Sequence, residues 1–368
     1  TSSLVRDILA AASKPGVISF AGGLPASEAL FRPSQEVLNQ LPDDIWQYGQ
    51  TEGEPVLREQ VAIRARQLGI ACSAEQVLIV NGSQQGIDLV SKLMVDEGSR
   101  VLTESPTYLA ALQVFRLFGA EFVAAPQDEQ GIVPEGLAQL DARLAYLVPT
   151  FQNPTGRCYS TERRKALARA FDRHSMVVFE DDPYRDLSFD GTAPAPIVSH
   201  LEKALWVYQG SFSKTLAPGL RLGYLIVHPE LVQALTRLKQ AADLHSNRLS
   251  QAIVAQVLID GSLDQHVASV LPLYRQKRDA MHASLQRHVG DKARWDVPVG
   301  GLFFWLELTE AQDTMLLMEK ALAAGLAIMP GAAFDPEPKT AATLRLNFSH
   351  SSLAQIEQGV RLLAGLLV

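Results

Sequence analysis

Between about residue 54 and residue 227 the chain alternates apolar residues at three- and four-residue spacing with short β-branched runs, and this alternation constrains the fold more than any other feature. Segments of that kind build parallel sheets joined by helical crossovers. Strands are expected at 77–80, 100–103, 121–124, 145–148, 176–180, 205–209 and 222–227, each bounded by Gly, Pro, Asn or a helix signal. Helices are expected at 55–68, 84–94, 109–118 and 161–174. The fold class is therefore α/β, with seven strands in one broad, mainly parallel sheet and helices on both faces.

Beyond Pro229 the pattern changes to long helical stretches through about Arg287, then a strand at 300–308, a helix near 314–324 and a strand at 343–348. This order predicts a smaller α+β domain made of residues 1–39 with 241–368, beside a large domain at 40–240. The length of 368 residues and 47% hydrophobic content suffice for a large core. No solenoid-period repeat or low-complexity tract appears, and the Pro-containing piece 193–196 reads as a surface loop.

A formal charge of −7 offers no general attraction to nucleic acid or anionic lipid, so neither is an expected partner. No run approaches the roughly 20 apolar residues that span a bilayer, and no basic region followed by an apolar signal core opens the chain. Cys72 and Cys158 stand far apart without metal-ligand spacing, which fits reduced thiols in a cytoplasm. The scattered histidines suggest no metal site.

The strongest chemical signal is Ser211-Phe212-Ser213-Lys214, following an expected strand and followed in turn by Pro218-Gly219-Leu220-Arg221. A lysine at a strand end, flanked by hydroxyls and an arginine, suits a phosphorylated aldehyde: the amine forms a Schiff base, while Ser211, Ser213 and Arg221 serve the phosphate. Such a lysine must be depressed from its ordinary pKa near 10.4 by burial or nearby cations. Asp181-Asp182-Pro183-Tyr184 follows another strand, where parallel sheets place their ligands. A carboxylate there can keep a pyridine nitrogen protonated, although alone such a pair is more often a cap or turn. Asn153-Pro154-Thr155-Gly156 is by itself a turn signature, and Asn81-Gly82-Ser83-Gln84-Gln85-Gly86 is either a strand-to-helix turn or a phosphate-holding helix start.

These four segments, in this order and each at a strand end, resemble the fold type I aminotransferases that use pyridoxal 5′-phosphate (PLP), and the resemblance spans almost the whole chain. The run Ile18-Ser19-Phe20-Ala21-Gly22-Gly23-Leu24-Pro25 is similar to the 2-aminoadipate and kynurenine aminotransferase branch and to the C-terminal domain of MocR-type regulators. The resemblance implies Lys214 as the Schiff-base lysine, Asp181 as partner of the ring nitrogen, and Asn153 and Tyr184 as ligands of the phenolic oxygen. It implies phosphate contacts from Ser83, Gln84, Ser211, Ser213 and Arg221, and a ring-stacking Tyr108. It further implies Tyr48 reaching the neighbouring subunit's phosphate in a homodimer, and Arg345 pairing with the substrate α-carboxylate. Asn153 and Gly23 are also expected at the substrate, and Arg6 on the amphipathic segment 4–11 is a candidate for a distal carboxylate. Lys214 and Arg221 are seven residues apart, one fewer than in aspartate aminotransferases proper, which reads as a subgroup feature.

The implied activity moves an amino group from an L-amino acid to a 2-oxo acid, usually 2-oxoglutarate, with ping-pong kinetics and Lys214 as general base. Specificity is expected to be broad, taking in 2-aminoadipate, aromatic or branched amino acids. The alternatives are a PLP lyase on the same fold and a non-catalytic PLP-binding sensor. A sensor is expected to carry a DNA-binding module ahead of Thr1, where this sequence shows none, and the charge of −7 argues against DNA contact.

Overall fold

The computed structural model describes residues 10, 12, 14–337 and 342–368. Arg6 lies outside the described residues. The large sheet has seven strands: β1 (Val77–Val80), β2 (Arg100–Thr103), β3 (Glu121–Ala124), β4 (Leu144–Leu147), β5 (Val177–Asp181), β6 (Trp206–Ser211) and β7 (Gly223–Val227). Their order is β1-β7-β6-β5-β4-β2-β3. All pairings are parallel except those of β7, which runs antiparallel to both β1 and β6.

The reversal of β7 has a simple cause. A parallel return needs a crossover of a dozen or more residues, usually a helix, whereas the link from Ser211 to Gly223 holds only a short 3-10 turn at Pro218–Leu220. Because β1 regains the sense of β4, β5 and β6, the carboxyl ends of these four strands share one edge.

Period-two alternation divides the strands between two apolar layers. Ile79, Leu102, Val178 and Ile226 pack on one face with α1 (Pro55–Gln67) and α4 (Thr161–Phe171). Leu78, Val80, Tyr146, Phe179 and Leu225 pack on the other with α2 (Ser83–Met94) and α3 (Leu109–Leu117). Helices thus cover both faces, as the alternating sequence pattern requires. At the start of α4 the Ser160 hydroxyl accepts from the Arg163 backbone N–H, which locates that helix end.

Three long helices follow: α5 (Pro229–Asp243), α6 (Arg248–Ile259) and α7 (Ser262–His288). A second, antiparallel sheet combines β8 (Ala293–Arg294), β9 (Phe303–Leu308), β10 (Met329–Pro330) and β11 (Thr343–Asn347) in the order β8-β9-β11-β10. Its core is shared with α7, α8 (Thr314–Ala323) and α9 (Leu353–Leu366). Near the start of the chain, Ile18–Ser19 pairs in parallel with Leu326–Ala327, tying the N-terminal segment to this part of the molecule.

Several sequence boundaries move. Strands β5 and β6 run on through Asp181 and Ser211, past the first polar residues where the sequence pattern ends them, because Asp181 pairs with Gln209 and Ser211 with Gly223 in the ladders. Strand β9 starts later than residue 300 because Gly300 and Gly301 cross the Phe151 side chain, where a Cβ on Gly300 would lie 2.5 Å from the ring. Residues 193–196 are more than a surface loop. The carbonyls of Ala193 and Pro194 accept from Arg185, and the next turn gives the Ile197 and Val198 N–H groups to buried Glu180. Cys72 and Cys158 are both free thiols. Among the described residues no helix is long and apolar enough to cross a membrane.

Candidate active site

The shared carboxyl edge of the large sheet opens into a cavity of roughly 400 Å³, closed from the other side by Gly22, Gly23, Met329, Phe334 and Arg345. Ser83, Gln84, Tyr108, Asn153, Asp181, Tyr184, Ser211, Ser213, Lys214, Arg221, Gly23 and Arg345 all line it. Tyr48 does not: it is 77% exposed, edge-on to His245 with ring centroids 6.0 Å apart.

Lys214 follows β6, and its Nζ donates to the Gly23 carbonyl at 2.6 Å. Burial, then the positive charges of Arg345 and Arg221, bring its pKa down to about 8. Neutral amine is therefore available near neutral pH, as a nucleophile or base requires.

Asp181 ends β5 and is buried. Its Oδ2 accepts from Tyr146 at 2.7 Å and its Oδ1 from Gln209 at 2.9 Å. Burial raises its pKa to about 6 against the pull of these two donors, with the Asp182 charge adding to the rise. A neighbouring cation would reverse that penalty, which suits a carboxylate placed against a protonated ring nitrogen.

Asn153 belongs to the turn after β4, where the Gly156 N–H closes onto the Gln152 carbonyl at 2.7 Å. The turn and the site are one feature, for Asn153 Nδ2 lies 3.5 Å from the Tyr184 hydroxyl while its Oδ1 accepts from Arg345 at 2.7 Å. Tyr108 starts α3 at the cavity wall, and burial pushes its phenol up to about 12. Burial raises the Tyr184 phenol as well, so both remain donors.

Arg345 is 5% exposed in the middle of β11. It donates to Asn153 and to the Ala21 carbonyl, and its guanidinium carbon lies 4.4 Å from the Phe303 ring centroid and 4.7 Å from that of Phe334. Burial lowers its pKa to about 10, so it stays charged at neutral pH. Its Nε has no hydrogen-bond partner, and among the described residues no carboxylate pairs with it. A buried, unpaired guanidinium on a cavity wall favours a carboxylate ligand.

At the other end, α2 begins after Gly82 at φ +72°, with the Ser83 and Gln84 N–H groups ahead of the first helical hydrogen bond, which Gln85 donates to the Gly82 carbonyl at 3.1 Å. A Cβ on Gly82 would lie 2.5 Å from the Arg221 guanidinium, so glycine is needed for that side chain to rest on the loop. Ser211, Ser213 and Ser83 add hydroxyls beside Arg221. The donor set fits PLP from end to end: a cationic and hydroxyl-rich cradle for phosphate, Lys214 for the aldehyde, Asn153 and Tyr184 for the phenolic oxygen, and Asp181 for the nitrogen.

Sequence reasoning did not reach Tyr146, Gln209, Phe303 or Phe334. Gln209 had a legible signal, an amide inside the run Trp206-Val207-Tyr208-Gln209, where a buried polar group demands a partner. The aromatic pair around Arg345 had none, because β9 and the turn after β10 meet it only through tertiary packing.

Fold and site together define a PLP-dependent enzyme of fold type I. The family described as aminotransferase class I and II matches residues 16–363. The 2-aminoadipate transaminase of Thermus thermophilus is 39% identical over 98% of this chain and 92% of its own length. Aromatic-amino-acid aminotransferase 1 of Thermococcus litoralis is 36% identical over 99% of this chain and 91% of its own. The crystal structure of Pyrococcus horikoshii kynurenine aminotransferase superposes with a TM-score of 0.93 at 31% identity, covering 100% of this chain and 94% of that one. The chain belongs to the class I and II aminotransferases and is a PLP-dependent transaminase.

Proposed function

We propose that the enzyme transfers amino groups from L-amino acids with apolar, aromatic or 2-aminoadipate side chains to 2-oxoglutarate, at a site completed by a second subunit. The observation that carries this reading is the buried guanidinium of Arg345, which no carboxylate pairs among the described residues, in the same cavity as the depressed amine of Lys214. An α-carboxylate held bidentately by Arg345 fixes the substrate, so that the α-carbon is presented to Lys214. Leu24, Leu109, Met329 and Phe334 offer apolar contact to a side chain. The names of the relatives, which cover aromatic, 2-aminoadipate and kynurenine transamination, support a broad range.

When bound, PLP supplies the electron sink that makes the α-proton acidic. Asp181 would hold the ring nitrogen as a cation, and Asn153 and Tyr184 would donate to the ring oxygen. Ser83, Gln84, Ser211, Ser213 and Arg221 would hold the phosphate, and Tyr108 would offer its ring as an aromatic wall. Lys214, whose lowered pKa leaves neutral amine available in the cavity, would serve as the base that takes the substrate's α-proton and holds it for return. Release of one 2-oxo acid before entry of the next gives ping-pong kinetics.

Exposed Tyr48, beside 80% exposed Trp46, supports a homodimer in which Tyr48 reaches the partner's phosphate. We assign residues 40–240 to the cofactor-binding domain and 1–39 with 241–368 to a smaller domain. The free thiols and lack of a membrane-crossing helix among the described residues support a cytoplasmic setting.

Visible absorption of the PLP-loaded protein tests the reading, with 2-aminoadipate, glutamate, leucine, kynurenine and aspartate added separately. The expected result is a cofactor band that some of these convert to the pyridoxamine spectrum and 2-oxoglutarate restores. A band that no amino acid changes overturns it in favour of a PLP-binding sensor.

A further inference from the structure

Gln209 is fully buried in β6, between Tyr208 and Gly210. Its Nε2 donates to Asp181 Oδ1 at 2.9 Å, while its own Oε1 has no hydrogen-bond partner among the described residues. That oxygen faces Gly86 of α2, where a Cβ would stand 1.9 Å away. Two unfavourable features therefore coincide: an unsatisfied buried carbonyl oxygen, and a glycine inside a helix where alanine is the better helix former. Neither serves local stability. Both are needed to bring this amide against Asp181.

We propose that Gln209 is a positioning residue for the aminotransferase reaction, aiming and holding the Asp181 carboxylate as an anion toward the cofactor nitrogen, with Gly86 supplying the space. The proposal rests on the reading that Asp181 meets that nitrogen. Tyr146 engages the other carboxylate oxygen from β4, so both oxygens are fixed and the carboxyl cannot rotate. Among the described residues the other titratable groups whose charge bears on it are Tyr108 at the start of α3, and Asp182 and Tyr184 from its own segment. None of these is a cation, so the neutral donors Gln209 and Tyr146 are what opposes the burial that favours the protonated acid.

The test compares full-length wild type with Gln209→Leu, Gly86→Ala and Asp181→Asn. The apo proteins are titrated by carboxyl 13C NMR after aspartate labelling, the Asp181 signal being assigned by its loss in Asp181→Asn. PLP affinity is measured against pH by absorbance. In Gln209→Leu the Asp181 midpoint is expected to rise by about one pH unit from about 6, as loss of one hydrogen bond to a charged group implies, so that PLP binding weakens about twofold at pH 7 and close to tenfold at about pH 5. Gly86→Ala is expected to shift both in the same direction, although alanine is the better helix former. An unmoved Asp181 midpoint in both variants, or a loss of affinity equal at every pH, overturns the proposal. If Asp181→Asn binds PLP as tightly as wild type, the underlying assignment of Asp181 fails instead. If Asp181→Asn loses PLP while Gln209→Leu and Gly86→Ala do not, only the role of Gln209 falls.

Discussion

Lys214 and Asp181 are held in the forms their burial disfavours, so the apo site should cost stability. Lys214 drops from 10.5 to about 8 in the fold, so the folded chain binds that proton less readily than the unfolded chain. Its contribution is full above pH 10.5 and is lost as pH falls through about 8. Apo Lys214→Met, though inactive, should therefore exceed apo wild type in urea-unfolding free energy at pH 7 by up to about 3 kcal/mol, with the gap closing above about pH 10.5. Asp181 works in the opposite sense: raised from 3.8 to about 6, its contribution is present below pH 3.8 and lost as pH rises through 6. Arg345→Met removes the charge proposed to bind the α-carboxylate. KM for both amino acid and 2-oxo acid should rise about a hundredfold or more while PLP affinity stays near wild type. An unchanged KM would place the carboxylate elsewhere.

The elements carry the site because ion pairs and hydrogen bonds lock them to the sheet. Arg164 on α4 lies 3.6 Å from Glu180 on β5, with both side chains fully buried. It also bonds the Tyr159 and Pro149 carbonyls and the Thr150 hydroxyl, anchoring the stretch that leads into and out of the Asn153 turn. Burial raises Glu180 to about 7, so the acid depends on Arg164 and on the N–H groups of Ile197 and Val198 for its charge. Arg164→Met should cost about 3–5 kcal/mol in a urea melt by leaving an uncompensated buried charge, and Arg164→Met with Glu180→Leu should recover part of that loss. Equal destabilisation by the single and double changes would mean that the arginine acts only through the carbonyls. At this scale the strands and their crossover helices were legible because period and strand length are local properties. The reversal of β7 was not, since 222–227 reads the same in either direction and only the short connection from Ser211 decides it.

For the whole molecule the decisive question is whether a site belongs to one chain. Tyr48 stands outside the cavity of its own subunit. If it serves the partner's phosphate, mixing inactive Tyr48→Ala and Lys214→Ala chains should restore activity, because one site of each hybrid dimer then holds both intact residues. With random assortment of a two-fold dimer, about one quarter of wild-type activity is expected. No recovery, despite hybrid dimers seen by mass spectrometry, would confine Tyr48 to its own subunit. The sequence by itself determined the α/β framework and placed Lys214, Asp181 and Asn153 just after or at the ends of strands, from which the structure brings them with Arg221 to one cavity. Tertiary structure alone decided that Arg345 meets Asn153 across 192 residues, that Phe303 and Phe334 flank it, and that Gln209 and Tyr146 clasp Asp181. These contacts depend on strand register and on the packing of two separate sheets, which no local spacing encodes.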